Sequence, residues 1–151
     1  MSHTLWMKRA LEEARLALAE NEVPVGAVLV KDDQLIAADH NRTRQQGNPL
    51  AHAEKLCIDA ALTDGQSYLY DYTLYITLEP CIMCAGMIVW SRVGTVVFGA
   101  YDPKAGAVGS VYNVLLEKSF NHHPTVIFGV EKEACSNLLS TFFAEKRHST
   151  S

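Results

Sequence analysis

Residues 73–99 read TLYITLEPCIMCAGMIVWSRVGTVVFG, and this stretch decides the fold. Thr73 to Leu78 alternates and is rich enough in β-branched residues to predict a strand, which Pro80 stops. Cys81 to Ser91 predicts a helix, and Thr95 to Gly99 a second strand. That helix is apolar on nearly every side, at Ile82, Met83, Ala85, Met87, Ile88, Val89 and Trp90. Helices of this kind are covered all round. In a chain of 151 residues the second covering layer is expected to come from another copy of the chain, which predicts a homodimer.

Outward from that core, the other segments alternate in the same way. Residues 4–20 place Leu5, Ala10, Leu11, Ala14 and Leu18 at helical spacing. Val25 to Val30 and Leu35 to Ala38 are apolar runs joined by Lys31-Asp32-Asp33-Gln34, a hairpin signature. Asn41 to Pro49 is polar and reads as a loop. A helix is expected from His52 to about Leu62, a strand over Thr125 to Gly129, and a last helix from Lys132 to Lys146. Alternating helices and strands predict an α/β layered fold around one sheet. The opening hairpin makes that sheet mixed.

Composition excludes several classes. At this length, residues 1–151 are expected to form a single domain with a full hydrophobic core. No apolar run reaches the ~18 to 20 residues of a membrane helix, and no signal-peptide core is present, so a cytoplasmic protein is expected. A net charge of −4 argues against a general nucleic-acid binder, although a local basic patch remains compatible with it. A chain with a real core has no need of disulfide staples. Two of its four cysteines sit as Cys-x-x-Cys, which favours metal or redox chemistry.

Cys81 and Cys84 lie three apart at the start of a helix, so both sulfurs share the face of its first turn. The positive end of the helix favours thiolates there. His52 is the natural third ligand, since one imidazole and two thiolates make a good zinc set. Three protein ligands leave an open position, the mark of a catalytic site. Glu54 follows His52 by two residues, about 200° around a helix, so both can face one site only if the helix aims its N-terminal end there. Close to the metal without ligating it, Glu54 can carry a proton from water to a leaving amine. Cys57 lies ~7.5 Å further along the helix and cannot easily reach, and Cys135 sits among Ala134, Leu138 and Leu139 as core.

His-x-Glu followed by Pro-Cys-x-x-Cys is the signature of zinc nucleobase deaminases. Beyond it, the chain resembles the bacterial tRNA-specific adenosine deaminases from about residue 5 to 147. The carrying segments are Glu22 to Val28, Asn41-Arg42, Ala51 to Glu54, Leu74 to Ala85, Phe98 to Ser110, Asn121-His122 and the tail Leu138 to Arg147. The zinc motif alone points to a deaminase; the loop Gly99 to Ser110 and Phe142-Phe143 before Lys146-Arg147 narrow the resemblance to the tRNA enzymes.

That resemblance implies a three-layer α/β/α cytidine-deaminase-like fold with a mixed sheet of about five strands. It further implies one Zn2+ per subunit, a homodimer, and conversion of the wobble adenosine of a tRNA anticodon stem-loop to inosine. By position, Asn41 resembles the base-binding asparagine and Val23 a wall of its pocket, while Asp102, Lys104, Asn121 and Phe143 match positions that hold the flipped anticodon nucleotides. Arg42, Arg44, Lys104, Lys146 and Arg147 would offset the acidic total charge locally. Leu50 stands where threonine is usual, and Lys55 is a cation that the pattern does not anticipate.

Taken singly, several of these residues read more plainly. Asn41 alone is a turn residue, Phe142 and Phe143 are core by default, and Asp102 and Lys104 fit a solvated Gly-rich turn. His122 and His123 are adjacent, point apart and suggest surface or substrate-loop positions. Two other functions share the motif: deamination of a free base or nucleoside, and a zinc-stabilised RNA-binding scaffold without turnover. Glu54 argues against the scaffold, because a structural site has no use for a carboxylate there.

Overall fold

Ser2 opens the first helix, its hydroxyl accepting the Leu5 N–H at 3.2 Å. The computed structural model describes residues 2–63, 65 and 68–149, the side chains of 148 and 149 apart. In chain order the elements are α1 (His3–Ala19), β1 (Gly26–Lys31), β2 (Gln34–His40), α2 (Ala53–Thr63), β3 (Tyr72–Leu78), α3 (Ile82–Ser91), β4 (Thr95–Ala100), β5 (Thr125–Phe128) and α4 (Lys132–Ser149). A short 3-10 turn, Val114–Leu116, lies between β4 and β5. Asp32 and Asp33, both at positive φ, turn the β1–β2 hairpin.

The sheet has five strands in the order β2-β1-β3-β4-β5. β1 is antiparallel to both β2 and β3, whereas β3–β4 and β4–β5 are parallel. The sheet is therefore mixed, as the hairpin implied. Two-residue alternation sorts the side chains between its faces. Ala27, Leu29, Leu74, Ile76, Val96 and Phe98 pack with Ile58 of α2 and Ile88 of α3. Val28, Val30, Tyr75 and Val97 pack with Met7, Ala10 and Leu11 of α1 and Cys135 of α4. Three layers result, with α1 and α4 on one face and α2 and α3 on the other.

The α1–β1 approach is very close. A Cβ at Gly26 would stand 2.1 Å from the Ala10 carbonyl oxygen and 2.5 Å from the Ala14 nitrogen. Glycine is required there for lack of space.

Most boundaries differ from expectation by a single residue, as at α2, which begins after His52; the larger differences are β2, which extends to His40, and α4, which continues to Ser149. Among the described residues, the largely apolar α3 is covered on one side only. Cys84, Ala85, Ile88 and Val89 are buried, whereas Ile82 is 59% and Trp90 79% exposed. No helix among the described residues is long and apolar enough to cross a membrane.

Candidate metal centre and substrate cleft

One end of the sheet gathers the chemistry. β3 ends there at Leu78 and runs on to Cys81, β4 ends at Ala100, and β2, antiparallel to β1, arrives with His40 and Asn41. The N-terminal ends of α2 and α3 meet at the same place. His52 Nδ1 lies 3.6 Å from Cys81 Sγ and 3.5 Å from Cys84 Sγ. Tetrahedral zinc with Zn–N near 2.05 Å and Zn–S near 2.3 Å requires N···S separations of about 3.6 Å. The three donor atoms thus already hold the spacing of a zinc set, and all lie within 4.8 Å of one another. Cys57 and Cys135 are buried elsewhere, the first with its thiol 3.5 Å from the Ala27 carbonyl oxygen.

Asn41 is 9% exposed, and its Oδ1 accepts the Ala53 N–H at 2.8 Å, capping α2 from a different segment. This bond explains how His52 and Glu54, two residues apart, both reach the site: the helix is held by its first turn at the cleft. Burial pushes the Glu54 carboxyl up to about 7, against the pull of its own backbone N–H and His52. A hydrogen bond from Cys84 holds the Cys81 thiol far below the ordinary thiol range, at about 3; burial opposes it and His52 assists. The neighbouring Cys81 sulfur and burial push the Cys84 thiol up.

Two cavities open at this end of the sheet. The smaller, about 150 Å³, is lined by His52, Glu54 and Cys81 with Val23, Val25, Asn41, Leu78, Glu79, Asp102 and Ala105. The larger, about 840 Å³, shares Val23, Leu78, Asp102 and Ala105 with it and extends past Tyr101, Pro103 and Lys104 to Ser136, Leu139, Ser140, Phe143, Lys146 and Arg147 of α4. The two form one cleft with the metal set at its narrow end. Phe142 is buried, whereas Phe143 is 48% exposed and faces the larger cavity, so the adjacent phenylalanines divide between core and cleft.

Of the expected substrate residues, Val23, Asn41, Asp102, Lys104 and Phe143 line this cleft. Asn121 lies away from it. It is exposed and four residues ahead of Thr125, which pairs with Thr95 at the start of β4. Because β5 is parallel to β4, that segment lies at the opposite end of the sheet. Next to it, His122 Nε2 is 2.7 Å from the Val93 carbonyl oxygen. Lys55 pairs with Asp59 one turn along α2, and Leu50 is 48% exposed.

Two buried carboxylates had no role in the sequence reading: Glu79, which lines the smaller cavity, and Glu22, the residue before Val23. Glu22 accepts the N–H groups of Arg44 and Gln45 at 3.1 and 2.8 Å. Glu79 accepts those of Asp102, Val108 and Ser110, each at 3.0 Å. Both lie within the quoted segments, but a glutamate gives no local signal that loop amides distant in sequence will surround it.

This metal-ready histidine and cysteine pair beside a buried carboxylate, on a mixed three-layer sheet, defines a class. The chain belongs to the family described by the cytidine and deoxycytidylate deaminase zinc-binding region, which matches residues 1–100. Within that class it is similar to tRNA-specific adenosine deaminases. It is 50% identical to the tRNA-specific adenosine deaminase of Bacillus subtilis (strain 168), over 95% of this chain and 89% of that one. It is 43% identical to the enzyme of that description from Aquifex aeolicus (strain VF5), over 98% of each. A solved structure from work on A-to-I editing by tRNA:A34 deaminases at the wobble position of transfer RNA superimposes with a TM-score of 0.86 and 42% identity, over 90% of this chain and 99% of that one. A guanine deaminase from Nitrosomonas europaea superimposes with a TM-score of 0.77 at 27% identity, over 93% and 84%.

Proposed function

We propose that this protein is a tRNA-specific adenosine deaminase that converts the wobble adenosine of an anticodon to inosine and releases ammonia. The observation that carries the substrate class is the shape of the cleft. A small pocket at the metal set opens into a cavity more than five times larger, where Lys104, Lys146 and Arg147 meet Phe143. A free base needs only the first compartment. An RNA loop uses both, with one base inserted and its neighbours held by stacking and phosphate contacts. The relatives named for this activity support the same reading.

His52, Cys81 and Cys84 hold one zinc ion per subunit, and when bound it supplies Lewis-acid activation of water at neutral pH. Glu54 accepts the proton that water loses on adding to the ring carbon and returns it to the departing amine. Burial raises the Glu54 carboxyl above its ordinary 4.5, the direction that helps a carboxylate hold a proton it has taken. Val23 and Asn41 bound the base, the amide of Asn41 held in place by its bond to Ala53. Asp102, Lys104 and Phe143 contact the flanking nucleotides. The enzyme is a cytoplasmic homodimer in which a second copy covers the exposed side of α3 at Ile82 and Trp90.

Single-turnover deamination of an anticodon stem-loop with adenosine at the wobble position tests the assignment, with free adenosine, cytidine and guanine alongside. Inosine formed in the RNA alone is expected. Turnover of a free base or nucleoside with the RNA untouched would overturn the substrate and keep the metal chemistry.

A further inference from the structure

Glu79 is 2% exposed, two residues ahead of Cys81, and all its hydrogen-bond donors are uncharged. Oε1 accepts from the Asp102 N–H and the Ser110 hydroxyl, and Oε2 from the N–H groups of Val108 and Ser110. These four bonds fill the acceptor capacity of a carboxylate, so nothing remains for a metal or a substrate. The loop is wrapped tightly on the group: a Cβ at Gly106 would stand 2.3 Å from the Glu79 carboxyl carbon. Asp102, once placed, passes the order on, since its Oδ1 accepts the N–H groups of Lys104 and Ala105 at 3.1 and 3.2 Å. Meanwhile the Glu79 backbone N–H donates to the Ala100 carbonyl oxygen at 2.8 Å, which ties its own position to β4. One residue therefore joins the strand end that delivers Cys81 to the loop that walls the cleft.

We infer that Glu79 is a positioning residue for RNA binding: its carboxylate sets the 102–110 loop at a fixed place relative to the metal set, so that Asp102 and Lys104 meet the nucleotides flanking the reacting base. This rests on the RNA reading above. A buried ionised carboxylate is costly unless its partners are good, and an apolar residue would have filled the same space without that cost. What the carboxylate adds is geometry: it can accept from several backbone amides at once and holds each at a defined point.

Glutamine discriminates among roles for this residue. Its oxygen can keep the Val108 and Ser110 amides, and its NH2 can turn to the Ser110 hydroxyl, which is able to accept. The Asp102 N–H then faces a donor and loses its partner. Glu79→Gln should therefore free the cleft-lining end of the loop selectively.

In the zinc-loaded enzyme, hydrogen exchange read by NMR should speed up at the Asp102 amide by about 10-fold or more, the factor that one charge-assisted hydrogen bond represents. The Val108 and Ser110 amides should change little. KM for the anticodon stem-loop should rise by about 10-fold, with kcat at saturating RNA and zinc content unchanged. Ser110→Ala, which removes one donor and leaves the carboxylate, should raise KM in the same direction and by less. Unchanged exchange at Asp102, loss of zinc, or a fall in kcat at constant KM would each overturn the assignment. Exchange does not depend on substrate, so an enzyme inactive on RNA would refute the functional reading while the exchange result still judges the loop.

Discussion

Replacing Gly26 by alanine adds one methyl group at the tightest α1–β1 contact and nothing at the metal set. The new Cβ would begin 2.1 Å from the Ala10 carbonyl oxygen, whereas real contacts do not fall below 3.0 Å, so helix and strand must part by about 0.9 Å. The obstacle is the main chain of α1, which no rotamer change can move aside. Overpacking of this kind costs about 1–3 kcal/mol, and a rigid backbone obstacle puts Gly26→Ala near the upper end, about 3 kcal/mol. For a chain of this size, that corresponds to a fall of roughly 6–12 °C in Tm. Retreat of α1 also pulls Glu13 from His40, which sits 3.1 Å away. Urea denaturation of the zinc-loaded protein should show the lower midpoint with an unchanged slope. Zinc content and single-turnover rate at 25 °C should stay at the wild-type level, because α2 and α3 lie on the opposite face of the sheet. An unfolding free energy within about 0.5 kcal/mol of wild type, or zinc lost before the fold, would refute this account of the layers.

Glu54→Gln should lower the single-turnover rate by about 100- to 10,000-fold, while metal analysis still finds one zinc per chain; a rate near wild type would sink the proton-transfer role. Trp90→Glu places a charge on the exposed side of α3 and should convert a dimer to a monomer in light scattering at micromolar concentration. A monomeric wild type would remove the basis for that expectation. Burial raises the Glu22 carboxyl, but the N–H groups of Gln45 and Arg44 outweigh it and leave the group below its ordinary 4.5. Its ionised form therefore stabilises the folded state above pH 4.5, and this contribution disappears as pH falls through the folded value. The stability difference between wild type and Glu22→Gln should be constant from about pH 5.5 to 8 and shrink below 4.5; a difference that grows in acid would reverse the sign.

Some of this molecule was legible along the chain because its causes are local. Period-two apolar residues at Leu74, Ile76 and Leu78, the stop at Pro80 and the apolar run after Cys81 dictate strand, turn and helix. A three-residue cysteine spacing puts two sulfurs on one helical turn whatever surrounds it. Other facts depended on which segments meet. Asn41 reads as a turn residue until the return of β2 brings it to the first turn of α2, where its amide caps the helix and becomes part of the cleft. Where Asn121 stands relative to the cleft depends on the parallel pairing of β5 with β4, which puts it toward the far end of the sheet. Glu22 and Glu79 carry no mark of burial in the sequence. Only the closing of loops 22 to 31 residues away surrounds them with backbone amides. The sequence by itself determined the elements and pointed to Cys81 and Cys84 as metal donors and to Glu54 two residues after His52, because those patterns are local. The tertiary structure decided which loops wall the cleft and what holds them there, because those bonds join residues that only folding makes neighbours.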